Sequence, residues 1–167
     1  MIAPVRARVP SFTSTLDPSA TEKDRLYYFN VEATMEDGRT WRLLRTYEDF
    51  YSMQLDVMKA FPREAGAYDP AERSIPFMPG PVPFVTPHLT SQRQALLDLY
   101  MGNMLRVTTE ITNCAIVRQF FFPRQGDHEI GHDDRDSGYR QSISSRQSQA
   151  LRESRHSSIT NLSLIHI

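Results

Sequence analysis

The stretch RTWRLLRTYEDFYSMQLDVMKAF, residues 39–61, changes its hydrophobic period near its centre. Up to residue 47 it is rich in β-prone side chains, and it predicts a strand over residues 39–47. From Glu48 onward apolar side chains recur at helical spacing, which predicts a helix that ends at Pro62. A strand that runs directly into a helix places a sheet and a helix side by side, so this stretch decides the fold class.

Two further strands are predicted upstream of this stretch. Residues 4–13 alternate enough to form a first strand, and residues 26–35 form a second strand that is followed by Glu36, Asp37 and Gly38. An Asp-Gly pair between two β-prone runs favours a hairpin, because both residues tolerate a positive φ. The three strands therefore predict an antiparallel meander.

Downstream of Pro62 the chain is predicted to be irregular as far as Thr90, because six prolines interrupt it. Thr90 or Ser91 is expected to cap the next helix, and a last short helix fits residues 113–121. Three strands followed by helices indicate the α+β class. We expect a three-stranded antiparallel sheet packed on a helical subdomain that carries a long proline-rich loop.

The aromatic residues are confined to the first three quarters of the chain. All nine phenylalanines and the single tryptophan of the 167 residues lie at or before residue 122. This distribution predicts one folded domain over residues 1–124 and a disordered Ser/Arg/Gln-rich tail over residues 125–167. One choice of codons for the last six residues, LSLIHI, is similar to the end of a sequencing-library adapter, so we expect residues 162–167 to be artefactual and the natural reading frame to be cut near Asn161; the alternative is an ordinary apolar C-terminus.

The composition excludes several classes of function. Nineteen basic and twenty acidic residues give a net charge of −1, without the broad basic surface of a nucleic-acid binder. The sequence has no long apolar run or secretory signal, and its single cysteine, Cys114, can form no internal disulfide. We also find no glycine-rich phosphate loop, metal-ligand cluster or nucleophile motif. We therefore expect a cytoplasmic protein that is not an enzyme and has no cofactor or metal.

Four segments are distinctive: RTYEDF at 45–50, FPREAGAYDPAER at 61–73, IPFMPGPVPFVTP at 75–87 and QRQALLDLY at 92–100. Together they resemble the phox-homology (PX) domain, the phosphoinositide-binding module of sorting nexins, NADPH-oxidase organisers and fungal polarity scaffolds. The resemblance covers about residues 4–124 and is strongest to the bud-emergence polarity scaffold and oxidase-organiser type. It implies that residues 1–124 are a PX domain, and scaffolds of this type carry Src-homology-3 (SH3) domains beside that domain.

The resemblance also implies a site for a phosphorylated inositol ring. Family members place two basic residues and an aromatic residue where the third strand meets the helix, and these positions are Arg45, Thr46 and Tyr47 here. Thr46 thus replaces the arginine that holds the 3-phosphate, and the loop lysine that holds the 1-phosphate has no counterpart. Arg93 matches the arginine that holds ring hydroxyls or the 4-phosphate. Arg73 matches an arginine near a second anion site.

The proline-rich loop admits three interpretations. Its apolar side chains could insert into the membrane interface beside the head-group site. Its PxxP segment, Pro76 to Pro79, could instead occupy the groove of an SH3 domain in the polyproline conformation. The loop could also be purely structural. The candidates for membrane insertion are Phe77, Met78, Val82, Phe84 and Val85, and the candidates for SH3 binding are Pro76 and Pro79.

These features predict a membrane-targeting module of a signalling or cell-polarity scaffold. We expect weak binding to phosphoinositides, because two of the family's charged contacts are missing. The protein would be cytoplasmic and peripheral at the plasma or endosomal membrane. The alternative is a protein-interaction module with little lipid binding, whose partners would be SH3 domains or polarity- or oxidase-complex proteins.

Overall fold

A computed structural model describes residues 1–131 of the chain, and the first compact unit is Met1–Glu129. The predicted disordered tail and the adapter-like residues 162–167 therefore lie almost entirely outside the described residues. No helix within the described range is long and apolar enough to cross a bilayer. The strands are β1 (Pro4–Thr15), β2 (Leu26–Met35), β3 (Thr40–Arg45) and β4 (His128–Ile130), and the helices are α1 (Tyr47–Ala60), α2 (Pro87–Met104), α3 (Thr109–Thr112) and α4 (Ala115–Phe121).

The described strands form one sheet in the order β1-β2-β3-β4. β1 pairs with β2 and β2 pairs with β3, both antiparallel, so the predicted meander is confirmed. The turn between β2 and β3 contains Gly38 at a φ of +86°, as the Asp-Gly pair predicts. The α+β class is also confirmed, but the sheet has four strands rather than three. β4 is only three residues long and lies in a polar stretch, so it gives no hydrophobic pattern.

β3 ends where a capping box begins α1. The Thr46 hydroxyl accepts a hydrogen bond from the Asp49 backbone N–H, and the Asp49 carboxylate accepts one from the Thr46 N–H at 2.9 Å. Burial alone would raise the pKa of Asp49, but the Thr46 N–H and the Arg124 guanidinium hold it below its usual value. Because of this capping box, β3 ends at Arg45, two residues before the predicted end of the strand at residue 47.

The hydrophobic core lies between the sheet and the helices. Phe50 of α1 makes edge-to-face contacts with Phe29 of β2 at 6.0 Å and with Phe120 of α4 at 4.9 Å. Its side chain is fully buried, so α1 is packed at its first turn against both the sheet and α4. Leu97 and Met101 of α2 are also fully buried in this core.

The start of α2 differs from the prediction. Thr86 is the N-cap, its hydroxyl accepts a hydrogen bond from the Leu89 N–H at 3.1 Å, and Pro87 occupies the first helical position. The predicted caps, Thr90 and Ser91, were wrong because proline is compatible with the first turn of a helix. The earlier start places Arg93 within the second turn of α2, facing the proline-rich loop.

Candidate functional site

A cleft of about 500 Å³ opens where the first turns of α1 and α2 meet the proline-rich loop. It is lined by Thr46 and Tyr47 from α1 and its cap and by Arg93 from α2, so the structure brings together three of the four predicted ligand residues. We call it the Arg93 cleft. Within residues 1–131 no His, Cys, Asp and Glu side chains form a group that could hold a metal ion.

Arg93 is the buried charged residue among those that line this cleft. Its side chain is only 4% exposed, and its guanidinium carbon lies 3.9 Å from the centre of the Tyr47 ring. Nη2 donates a hydrogen bond to the carbonyl oxygen of Gly80 at 2.8 Å, and no carboxylate of residues 1–131 forms an ion pair with it. A buried cation without a counterion is costly, so an anion that enters the cleft would be stabilised.

Tyr47 forms one wall of the cleft and ties it to the proline-rich loop. Its hydroxyl donates a hydrogen bond to the carbonyl oxygen of Pro79 at 2.5 Å, and its ring stacks on Tyr51 at 5.9 Å. Burial raises the pKa of the Tyr47 hydroxyl, although the positive charge of Arg93 acts in the opposite direction. Tyr47 and Arg93 thus hold the loop from two sides through adjacent carbonyls, those of Pro79 and Gly80.

Arg45 does not reach the cleft, and its prediction as a phosphoinositide ligand was wrong. The side chain is fully buried on the other side of the strand-helix junction, where Nη1 forms a 2.8 Å ion pair with Asp127. Nε and Nη2 donate hydrogen bonds to the carbonyl oxygens of Phe120 and Phe122. Burial lowers the pKa of Arg45, while Asp127 acts to raise it. Arg45 is therefore a structural residue that joins β3 to the chain after α4.

The folded unit consequently continues past the predicted boundary at Arg124. Asp127 is almost fully buried, and its carboxylate also accepts hydrogen bonds from the backbone N–H groups of Leu44 and Arg124, each at 2.8 Å. Gly126, at a φ of +94°, makes the turn that brings Asp127 back to β3. The first compact unit accordingly extends to Glu129.

Thr46 lines the Arg93 cleft but contributes no charge to it. Its hydroxyl is engaged in the capping box at the start of α1. Thr46 stands where the family has a phosphate-binding arginine, so the cleft is neutral at this position.

Arg73 lies outside this cleft and binds the proline-rich loop. Nε donates to the carbonyl oxygen of Ile75 at 2.9 Å, Nη2 donates to that of Pro76 at 3.4 Å, and the guanidinium lies 3.6 Å from the centre of the Phe77 ring. The loop occupies most of the Arg73 guanidinium, which leaves little of this group available to the second anion site that the resemblance implies. These contacts fix the conformation of the loop.

The apolar side chains of the loop divide into two groups. Phe84 and Val85 line the cleft and are 74% and 44% exposed, and Val82 nearby is 37% exposed. Met78 packs against the core, so its prediction as a membrane-inserting residue was wrong. Phe77 is exposed but lies beside Arg73, away from the cleft.

The PxxP segment is held against the domain. The carbonyl oxygen of Pro76 accepts a hydrogen bond from the Gln54 side chain at 2.8 Å, and that of Pro79 accepts the bond from Tyr47. Both prolines are half-buried. An SH3 domain could therefore bind Pro76 and Pro79 together only if this segment moved away from α1.

The turn between β1 and β2 supplies residues that the sequence interpretation missed. Lys23 and Leu26 line the same cleft, and Leu26 is 56% exposed opposite the loop. Lys23 forms no ion pair with any residue of the described range, whereas Arg25 beside it pairs with Glu22 at 2.8 Å. No local pattern marks these residues, because only the tertiary structure brings the turn to the cleft.

The chain is similar to known proteins over most of the described range. The sequence profile of the PX domain matches residues 33–124. Over 123 residues, which are 74% of this chain, it is 37% identical to Protein scd2/ral3 of Schizosaccharomyces pombe. Over 120 residues, 70% of this chain, it is 30% identical to SH3 and PX domain-containing protein 2A of Homo sapiens. The aligned parts are 23% and 11% of those two relatives, so the chain spans less than a quarter of either.

Proposed function

Because this chain belongs to the PX domain family, we propose that it binds phosphoinositide head groups in the Arg93 cleft and thereby attaches a signalling or polarity scaffold to a membrane surface. The observation that carries the proposal is the buried Arg93 guanidinium, which forms no ion pair with any carboxylate of residues 1–131. A phosphate would supply the missing negative charge through paired N–H···O bonds. The Tyr47 ring lies 3.9 Å from the Arg93 guanidinium carbon and holds this group in place at the wall of the cleft.

We expect the affinity to be modest. Thr46 contributes no charge, and the loop offers Pro81, Val82 and Pro83 where the family carries a lysine. Each charge-assisted bond contributes about 1.5–3 kcal/mol, so a cleft without two of them binds far more weakly than a complete one. Lys23 on the opposite rim is the one further cation of the cleft that is without an ion pair in the described range, and it offers a single substitute contact.

Vesicle flotation tests this function directly. The full 167-residue chain would be mixed with phosphatidylcholine vesicles that contain one phosphoinositide each, and with vesicles that contain phosphatidylserine at matched charge. We expect flotation with at least one phosphoinositide beyond that with phosphatidylserine, at low and at physiological salt. Equal flotation on both vesicle types would reject head-group recognition, because a purely electrostatic attraction follows charge and is screened by salt.

Restoring the missing arginine is expected to strengthen recognition of the 3-phosphate. Thr46→Arg should raise the affinity for vesicles with a 3-phosphorylated lipid by roughly tenfold or more, because it adds a charge-assisted bond. It should also lower the free energy of unfolding by about 1 kcal/mol, because the N-cap of α1 is lost. Thr46→Ala is the matched control, since it removes the cap without adding charge. If both variants float alike, position 46 does not reach the phosphate.

The exposed loop side chains beside the cleft are expected to enter the membrane interface. Phe84→Ser should weaken flotation by roughly tenfold, because a buried phenylalanine contributes about 1.5–3 kcal/mol. Phe77→Ser is a close control, since Phe77 is 78% exposed and Phe84 is 74% exposed, but Phe77 lies outside the cleft. We expect Phe77→Ser to float like the unaltered chain. An equal loss in both variants would mean that the whole loop contacts the bilayer.

The SH3 alternative has less structural support. It requires the PxxP segment to break the hydrogen bonds that Pro76 and Pro79 accept from Gln54 and Tyr47. The relative named SH3 and PX domain-containing protein 2A shows only that both domains occur in that protein. We therefore favour the lipid function for the cleft and the loop.

A further inference from the structure

The arginines of the described range whose side chains have neither an ion pair nor a hydrogen bond lie together in one groove. Residues 1–131 contain twelve arginines, of which six form ion pairs with carboxylates. Three others, Arg73, Arg93 and Arg118, donate to backbone carbonyls. The remaining three are Arg6, Arg8 and Arg106, whose side chains form no hydrogen bond or ion pair within residues 1–131. All three line the same groove.

This groove lies between β1 and the end of α2 and encloses about 500 Å³. We call it the β1–α2 groove. Arg6 and Arg8 are two residues apart on β1 and therefore share a face, while Arg106 follows the last turn of α2. Glu32 lies opposite Arg8 in the strand register, but it pairs with Arg42 at 3.4 Å. Within the described range, no carboxylate forms an ion pair with any of the three arginines.

The groove is also partly apolar. Val5 of β1 is 60% exposed and Leu99 of α2 is 62% exposed, and both line it. Its single acidic side chain, Asp98, accepts a hydrogen bond from the Val9 backbone N–H at 2.7 Å and caps the outer edge of β1. Three guanidinium groups beside exposed apolar side chains suit a ligand that presents both carboxylates and apolar groups.

The groove is separated from the Arg93 cleft along α2. Arg106 follows Arg93 by thirteen positions, which corresponds to roughly 20 Å along a helix axis. A ligand in the β1–α2 groove would therefore not compete for space with a head group in the cleft. The separation favours a peptide partner over the bilayer, because membrane contact is expected at the cleft end of α2, where Phe84 and Leu26 are exposed.

We propose that the β1–α2 groove binds an acidic peptide segment of a partner protein. Carboxylates of the peptide pair with Arg6, Arg8 and Arg106, because guanidinium groups form two parallel hydrogen bonds with carboxylates. Apolar side chains of the peptide pack on Val5 and Leu99. The domain can then hold a membrane lipid and a protein partner at the same time, at opposite ends of α2.

Fluorescence polarisation with a labelled peptide that alternates glutamate and leucine tests this proposal on the full chain. The double variant Arg8→Glu, Arg106→Glu should weaken peptide binding at least roughly tenfold for each reversed charge. Lys59→Glu is the charge-matched control for a single reversal, because Lys59 is exposed on α1 and forms no ion pair in the described range. It should change the affinity by no more than about twofold.

Three results would overturn the proposal. In the first, Lys59→Glu weakens peptide binding as much as each charge reversal of the double variant does, which would mean that the peptide responds only to the net charge of the protein. The second is equal binding of a control peptide with glutamine in place of glutamate. The third is a double variant that keeps peptide binding but loses vesicle flotation, which would make the groove a membrane contact. Circular dichroism melting would verify that the variants, whose altered side chains are all exposed, remain folded.

Discussion

Replacing Asp127 with alanine is expected to lower the free energy of unfolding by about 3–5 kcal/mol, because it leaves a buried charge without its partner. The Arg45 side chain is fully buried, so no water could solvate its guanidinium once the Asp127 carboxylate is removed. The same change removes the acceptor for the backbone N–H groups of Leu44 and Arg124. A domain of this size has a total stability of only about 5–15 kcal/mol, so the variant should be close to unfolding.

Urea denaturation followed by circular dichroism would measure this loss. Glu129→Ala is the matched control, because Glu129 also pairs with an arginine, Arg39, at 2.6 Å but on the exposed surface. We expect it to cost no more than about 1 kcal/mol. A chain that stops after residue 124 should be as unstable as Asp127→Ala. Equal and small effects of Asp127→Ala and Glu129→Ala would contradict the structural role of the buried pair.

Replacing Arg93 with alanine is expected to abolish phosphoinositide-dependent flotation. Loss of paired charge-assisted bonds to a phosphate corresponds to a decrease in affinity of roughly 100-fold or more. Arg106→Ala is the matched control, because it removes an arginine near the other end of the same helix, outside the cleft. That variant should float like the unaltered chain. Unchanged flotation of Arg93→Ala would place the head group elsewhere.

Arg93 also holds the proline-rich loop through the carbonyl oxygen of Gly80, so loss of flotation could arise from a displaced loop. Tyr47→Phe separates the two effects, because it keeps the ring beside Arg93 and removes only the hydrogen bond to Pro79. If Tyr47→Phe floats normally and Arg93→Ala does not, the guanidinium itself is required. Arg93→Lys should bind only partially, since an ammonium group cannot form the paired bonds.

Much of the fold follows from local sequence patterns. β2 begins and ends at the predicted residues because its apolar side chains alternate strictly, and the turn at Gly38 is determined by the Asp-Gly pair. α1 is equally clear from the helical spacing that begins near Phe50. The start of α2 is less clear, because Pro87 belongs to a series of prolines and only its position after Thr86 makes it a helical residue.

The site was only partly predictable for a different reason. Arg45, Thr46 and Tyr47 are consecutive, yet they face the core, the helix cap and the cleft, respectively. The alternation of side chains along a strand predicts that Arg45 and Thr46 diverge, but it does not reveal which one reaches the ligand. Tertiary contacts decide this, since the counterion of Arg45 is Asp127, more than eighty residues away in the sequence. Lys23 and Leu26 reach the cleft for the same reason.

The late position of Asp127 in the sequence has a consequence for biosynthesis. Arg45 is translated long before its counterion, and a growing chain that already contains β1 to α4 still has no carboxylate at this place in its core. Domains generally fold as units during synthesis. The last steps of folding therefore require residues 125–127 to have left the ribosome, and until then the nascent domain keeps an uncompensated cation where β3 meets α1. A short segment after the last helix thus determines when during translation the domain becomes stable.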